Sequence, residues 1–154
     1  MTVEESVHAY EHATEYFLKE VLVVTAQNID LHVDGGWTAR QVIHHIADSE
    51  AQSYARLRRI IAEPAGSVIQ GYDEAAWAQC ELLGYEELPV EHSLAVFRAV
   101  RAASLDVLRR LSESDLERYG EHSESGRYTL AMWLEIYTEH PRAHAAQLLE
   151  AVNA

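Results

Sequence analysis

The chain has a single cysteine, Cys80, among its 154 residues, so no internal disulfide can form, which fits a reducing compartment. A nucleophilic role for that thiol would need a neighbouring base that the sequence does not show, and an inert thiol is the simpler reading. Cations are also scarce. Twelve Lys and Arg stand against 25 Asp and Glu, and the resulting net charge of −13 repels phosphate backbones and anionic membrane surfaces. No apolar run approaches the roughly 18 to 20 residues a membrane helix needs. The opening Met1-Thr2-Val3-Glu4-Glu5 has neither the basic start nor the apolar stretch of a signal peptide. These absences lead to the expectation of a soluble, cytoplasmic protein with neither nucleic acid nor membrane as a partner. Internal repeats and low-complexity tracts are missing too, and no segment alternates over strand length.

What is present is a globular balance, 48% apolar and 24% charged residues, in a length typical of one domain, here taken as residues 1–154. Four long stretches carry a helical period. Thr2-x-x-Glu5 opens the first as a capping box, and Val7, Tyr10, Thr14, Phe17, Leu18 and Val21 carry it to about Asn28. Thr38-x-x-Gln41 opens the second, whose stripe of Ile43, Ile46, Ala47, Tyr54, Leu57 and Ile61 ends at Pro64 and Gly66. The third begins at Pro89 and runs through Leu94, Phe97, Leu105 and Leu108 to Leu111. The fourth follows the polar loop from Gly120 to Arg127 and spans Thr129 to Val152. The expected fold is all-α, a four-helix bundle. The connection from Ala62 to Leu88 is far longer than bundle loops usually are, so it should cross the bundle and give up-down-down-up topology. Within it, Asp73 can cap a short helix containing Trp77.

Nine histidines include two pairs at i, i+4 spacing, His8 with His12 and His140 with His144. Direction separates them. His8 and His12 fall roughly 160° and 200° from Tyr10, at the centre of the first apolar stripe, and so face solvent. His140 and His144 lie within the stripe of Trp133, Ile136, Tyr137, Leu148 and Ala151, with Gln147 beside them. Two inward imidazoles can be neutral core residues bonded to nearby carboxyls or hydroxyls, or a metal ion can satisfy both. Pro141 removes a backbone hydrogen bond between them; a kink that aims His140 is one reading, a tolerated bend the default.

A metal needs a further ligand, and the second helix offers His44 and His45, which helical direction does not separate. Height is informative: residue 45 lies about 9 Å from the start of its helix and residue 144 about 12 Å from the end of its own. Those levels match if the helices are antiparallel.

The segment Gly36-Trp37-Thr38-Ala39-Arg40-Gln41-Val42-Ile43-His44-His45-Ile46-Ala47-Asp48-Ser49 resembles the signature of the YfiT-like branch of the DinB superfamily. Gly71-Tyr72-Asp73-Glu74 followed by Trp77, then Leu88-Pro89-Val90, and the closing His140-x-x-x-His144-x-x-Gln147-Leu148 extend the match along nearly the whole chain. The resemblance implies the up-down-down-up bundle and one divalent metal ion held by three histidines. Its first ligand precedes the aliphatic-Ala-Asp sequence, which is His45, and the others fall on His140 and His144. His44 then becomes a flanking hydrogen-bonding residue. Relatives often carry a histidine where Glu50 stands and a more histidine-rich fourth helix where Arg142, Ala143 and Gln147 stand, differences that bear on the substrate pocket.

Three neutral ligands leave coordination positions open, the catalytic pattern. Imidazole suits several ions, with zinc or nickel the first expectation. The resemblance implies either hydrolysis or transfer with a low-molecular-weight thiol such as bacillithiol or mycothiol, and S-transfer of a small-molecule substrate is the preferred expectation, with a non-catalytic binding module as a further alternative. Relatives often pair, so a homodimer is expected. Asp48 could orient a ligand or serve the helix dipole, and Tyr72, Trp77 and Tyr128 could line a pocket or simply pack in the core.

Overall fold

The computed structural model describes residues 1–154, and none of its helices is long and apolar enough to cross a membrane. Four long helices dominate: α1 (Val3–Glu20), α2 (Ala39–Ala62), α4 (Glu91–Leu108) and α5 (Leu130–Val152), with the short α3 (Glu74–Gln79) in the long connection. Thr2 with Glu5 and Thr38 with Gln41 form the two expected capping boxes, and Thr129 accepts from the Met132 amide at the start of α5. Asp73 caps α3, as its position suggested.

Three helix ends differ from expectation. The first helix leaves α geometry at Glu20, continues as a 3-10 turn over Val21–Val23, and stops well short of Asn28. There the Asn28 side chain accepts from the Thr25 amide and donates to the Val23 carbonyl, a local alternative to continued helix. Pro89 lies outside α4, whose N-cap is Val90, and the helix ends at Leu108 rather than Leu111.

The bundle is accompanied by a small sheet that the search for alternation did not find. Strands β1 (Val68–Ile69), β2 (Tyr119–His122) and β3 (Gly126–Thr129) are too short to show a period; β1 pairs parallel to β2, which forms an antiparallel hairpin with β3. Gly120 is required where β1 and β2 meet, because a Cβ there would lie 2.6 Å from the Ile69 side chain and 2.7 Å from the Ser67 carbonyl.

Side-chain pairs fix the helix directions. His45 meets His144 and Arg56 meets Tyr137, so α2 and α5 are antiparallel. His44 meets Ser93 and Glu50 meets Arg101, so α2 and α4 are parallel. Thr14 meets Arg101 and Glu11 meets Arg109, so α1 and α4 are antiparallel. The order is therefore up-down-down-up, and the crossover between α2 and α4 makes it possible.

The core has two apolar clusters. One gathers Tyr10, Leu57, Leu108, Trp133 and Tyr137; the other gathers Phe17, Ile43, Ile46, Phe97 and Leu148. On every long helix polar residues lie between these clusters: Thr14 on α1, Ser49, Glu50 and Ser53 on α2, Arg101 and Ser104 on α4, His140 and His144 on α5. A polar layer thus crosses the middle of the bundle. Tyr54 and Ile136, assigned to apolar stripes, are instead 37% and 44% exposed.

Candidate metal centre

The polar layer brings together the three histidines expected as ligands. His45 projects from α2 and is 1% exposed, while His140 and His144 project from successive turns of α5 and are half-buried. Their Nε2 atoms converge: His144 Nε2 lies 3.1 Å from that of His45 and 3.0 Å from that of His140, and the three candidate ligand atoms are all within 4.8 Å of one another. Tetrahedral coordination at ordinary metal–nitrogen lengths separates such nitrogens by about 3.3 Å. No other His, Cys, Asp or Glu joins the group.

Hydrogen bonding decides how the rings are presented. His144 Nδ1 lies 2.8 Å from Gln147 Oε1, an acceptor, so Nδ1 carries the hydrogen and Nε2 offers its lone pair to the centre. One lone pair can accept one hydrogen, yet two other imidazole nitrogens press against it. The buried Nδ1 atoms of His45 and His140 have no hydrogen-bond partner. A cation shared by the three lone pairs resolves this crowding in a way that hydrogen bonds among the rings do not, so the residues fit a metal ion.

Protonation points the same way. Burial, and then the neighbouring His144, lower His45 to about 4; burial, then His144, His45 and Arg101, push His140 well below its ordinary value; burial also lowers His144, opposed by the bond to Gln147. All three are therefore neutral near pH 7, the form that binds metal. Two aromatic rings flank them, the edge of Trp37 at 5.1 Å from His45 and Tyr137 at 5.9 Å from His140, centroid to centroid.

The remaining candidates take other places. His44 lies 2.9 Å from the Leu88 carbonyl through Nε2 and 2.7 Å from Ser93 Oγ through Nδ1, so it fastens the crossover to α2 and takes no part in the cluster. The Asp48 carboxylate accepts a short hydrogen bond from the Tyr85 hydroxyl and does not reach the otherwise unpartnered His45 Nδ1. Tyr72 packs against Trp77 with centroids 4.6 Å apart, and Tyr128 is buried beside His122. His8 and His12 are exposed, as their direction required.

Sequence reasoning missed the neighbouring ion pair of Glu50 and Arg101, whose side chains are both fully buried and 3.0 Å apart. A signal was available: Arg101 falls at helical spacing between Phe97 and Leu108, and Glu50 between Ile46 and Leu57, each a charge in an apolar stripe. Gln147→Leu removes the only polar partner of His144 Nδ1 and is expected to weaken metal binding by about 10- to 100-fold with little change in fold, measured by metal titration.

Comparison with known proteins shows the family and the fold. The DinB superfamily pattern matches residues 9–148. An Oceanobacillus iheyensis protein named "putative metal-dependent hydrolase" is 37% identical over 147 residues, covering 95% of this chain and 83% of that one. A Bacillus mycoides protein of the same name is 37% identical over 114 residues, 74% of this chain and 64% of its own length. Among solved structures, Bacillus subtilis YfiT, described as "a probable metal-dependent hydrolase with an unusual four-helix bundle topology", superposes with a TM-score of 0.86 at 29% identity over 98% of this chain and 86% of YfiT. TT2238, a four-helix bundle protein, shares the fold with a TM-score of 0.65 at 20% identity over 96% of this chain and 98% of its own. With the pattern matched over most of its length and its bundle shared with YfiT, the chain belongs to the DinB superfamily.

Proposed function

We propose that this protein is a metal-dependent enzyme in which His45, His140 and His144 hold one divalent ion, zinc or nickel, and that the nucleophile activated there is a low-molecular-weight thiol. The observation that carries this reading is the convergence of three neutral imidazole nitrogens with no fourth protein ligand, which leaves a position for an exogenous group. A divalent ion in such a site supplies its full charge to lower the pKa of a bound thiol or water.

The protein's own residues favour the thiol. The two carboxylates nearest in sequence to His45 are both engaged elsewhere, Asp48 by Tyr85 and Glu50 by Arg101 and Ser53. Neither of these two is free to take a proton from water, as a general base for hydrolysis would. A thiol, whose ordinary pKa of about 8.5 is already near neutrality, gives up its proton to solvent without such a base. The buried imidazoles keep their lone pairs directed inward, Gln147 holds the His144 tautomer, and the rings of Trp37 and Tyr137 shield the cluster. Hydrolysis remains the second reading because the similar proteins carry that name.

Titrating the cobalt-substituted protein with a panel of small thiols tests the choice. Thiol coordination predicts a sulfur-to-cobalt charge-transfer band and thiol-dependent consumption of an electrophile. Absence of the band for every thiol, together with metal-dependent ester or amide hydrolysis, would favour the second reading.

A further inference from the structure

Pro141 stands between two of the ligand histidines and has no amide hydrogen, so the Tyr137 carbonyl loses the donor that residue i+4 supplies in a helix. Tyr137 is 2% exposed, and a buried carbonyl needs another partner. Arg101 provides it: its Nη1 donates to the Tyr137 carbonyl at 2.6 Å and to Glu50 Oε1 at 3.0 Å. Its Nη2 donates to the Tyr10 carbonyl at 2.9 Å, its Nε to Thr14 Oγ1 at 2.8 Å, and the guanidinium lies 3.5 Å from the Tyr10 ring centroid. One side chain from α4 thus ties α1, α2 and α5 together at the level of the histidines.

We propose that Arg101, held by Glu50, is a positioning residue for the metal centre: it replaces the hydrogen bond that Pro141 cannot make and so fixes the turn of α5 that carries His140 relative to His144 and His45. The inference rests on the reading that these three histidines bind metal. A planar guanidinium suits the task because its donors serve several acceptors in fixed directions at once, which an ammonium cannot do. Glu50 balances its charge, and the Ser53 hydroxyl lies within hydrogen-bond reach of both the Glu50 carbonyl, at 2.7 Å, and Glu50 Oε2, at 3.0 Å.

Pro141→Ala returns an amide hydrogen to the Tyr137 carbonyl, which makes a specific test possible. Cobalt affinity and the visible ligand-field spectrum are compared in the wild-type protein, Pro141→Ala, the charge-balanced pair Glu50→Gln with Arg101→Met, and the triple variant, under conditions where circular dichroism shows each fully folded. The charge-balanced pair should lose about 10- to 100-fold in affinity, the range for removing an outer support of a ligand, with an altered spectrum. Pro141→Ala alone should bind as the wild type does, and the triple variant should recover most of the loss and the wild-type spectrum. Wild-type affinity and spectrum in the charge-balanced pair would overturn the proposal. So would a triple variant that regains thermal stability but not affinity.

If the charge-balanced pair does not fold, Arg101→Lys keeps a cation opposite Glu50 but cannot serve all the acceptors. It should fold and bind cobalt more weakly, with recovery on adding Pro141→Ala; unchanged affinity would overturn the proposal. A wild-type protein that binds no cobalt would instead remove the three-histidine reading on which it rests.

Discussion

His140→Ala is expected to lower metal affinity by more than about 100-fold, beyond what losing an outer-shell partner costs, while the metal-free protein keeps its helix content. The loss follows from the geometry. His140 supplies one of three nitrogens that meet at 3.0 and 3.1 Å, and no other His, Cys, Asp or Glu is in place to substitute for it. The fold should tolerate the change because the imidazole removed is a half-buried neutral ring whose Nδ1 has no partner, in a layer already polar. His8→Ala is the control: its ring is exposed beside Glu4 and Glu11, and metal titration should not distinguish it from the wild type.

That contrast between two histidine pairs was legible in the sequence because both share i, i+4 spacing and differ only in direction from their own apolar stripes. His45 was not separable from His44 on the same basis. Both are buried, at 1% and 6% exposure, and they differ in which neighbour they face: His45 looks toward α5, His44 toward the crossover and Ser93. Only the family resemblance chose between them, and in the structure it is His45 whose ring nitrogen lies near those of His140 and His144. The helices that carry the site were readable from their threonine caps, whereas strands two to four residues long could not reveal themselves by alternation. Asp48 was a candidate to orient a ligand, but its carboxylate accepts from Tyr85, a residue of the long connection whose placement no local pattern gives.

The second large effect belongs to the buried ion pair. Glu50→Leu is expected to lower unfolding free energy by about 3 to 5 kcal/mol, because Arg101 would keep its charge in a fully enclosed site with no counter-ion. Burial raises the Glu50 carboxyl above its ordinary range, while the Arg101 charge and the hydrogen bonds from Ser53 and Arg101 oppose that shift. The pair is therefore costly to enclose and more costly to break. Adding Arg101→Met to Glu50→Leu should recover only part of the loss, since no charge is left behind but the buried Tyr137 and Tyr10 carbonyls lose the donor that Arg101 gives them. Urea denaturation of the two variants checks both statements. A loss below about 1 kcal/mol for Glu50→Leu would mean that the pair behaves like a solvent-exposed bridge, contrary to its burial.

Why this bundle should tolerate a polar layer through its centre follows from the same residues. Two apolar clusters lie on either side of it, and within it Arg101, Glu50, Ser53, Thr14 and the Tyr10 and Tyr137 carbonyls satisfy one another. The three histidines crowd their Nε2 atoms together at 3.0 and 3.1 Å, a contact that hydrogen bonds among the rings do not fully match. A metal ion shared by the three Nε2 lone pairs, as proposed, would relieve that crowding.

The most direct test of that claim is an anomalous difference map collected at the absorption edge of zinc or nickel, from crystals of protein loaded with one equivalent of that ion. The account predicts a single strong peak about 2.0 to 2.2 Å from the Nε2 atoms of His45, His140 and His144, with no fourth protein ligand. An empty cluster in loaded crystals, or a peak at His8 and His12 instead, would contradict it.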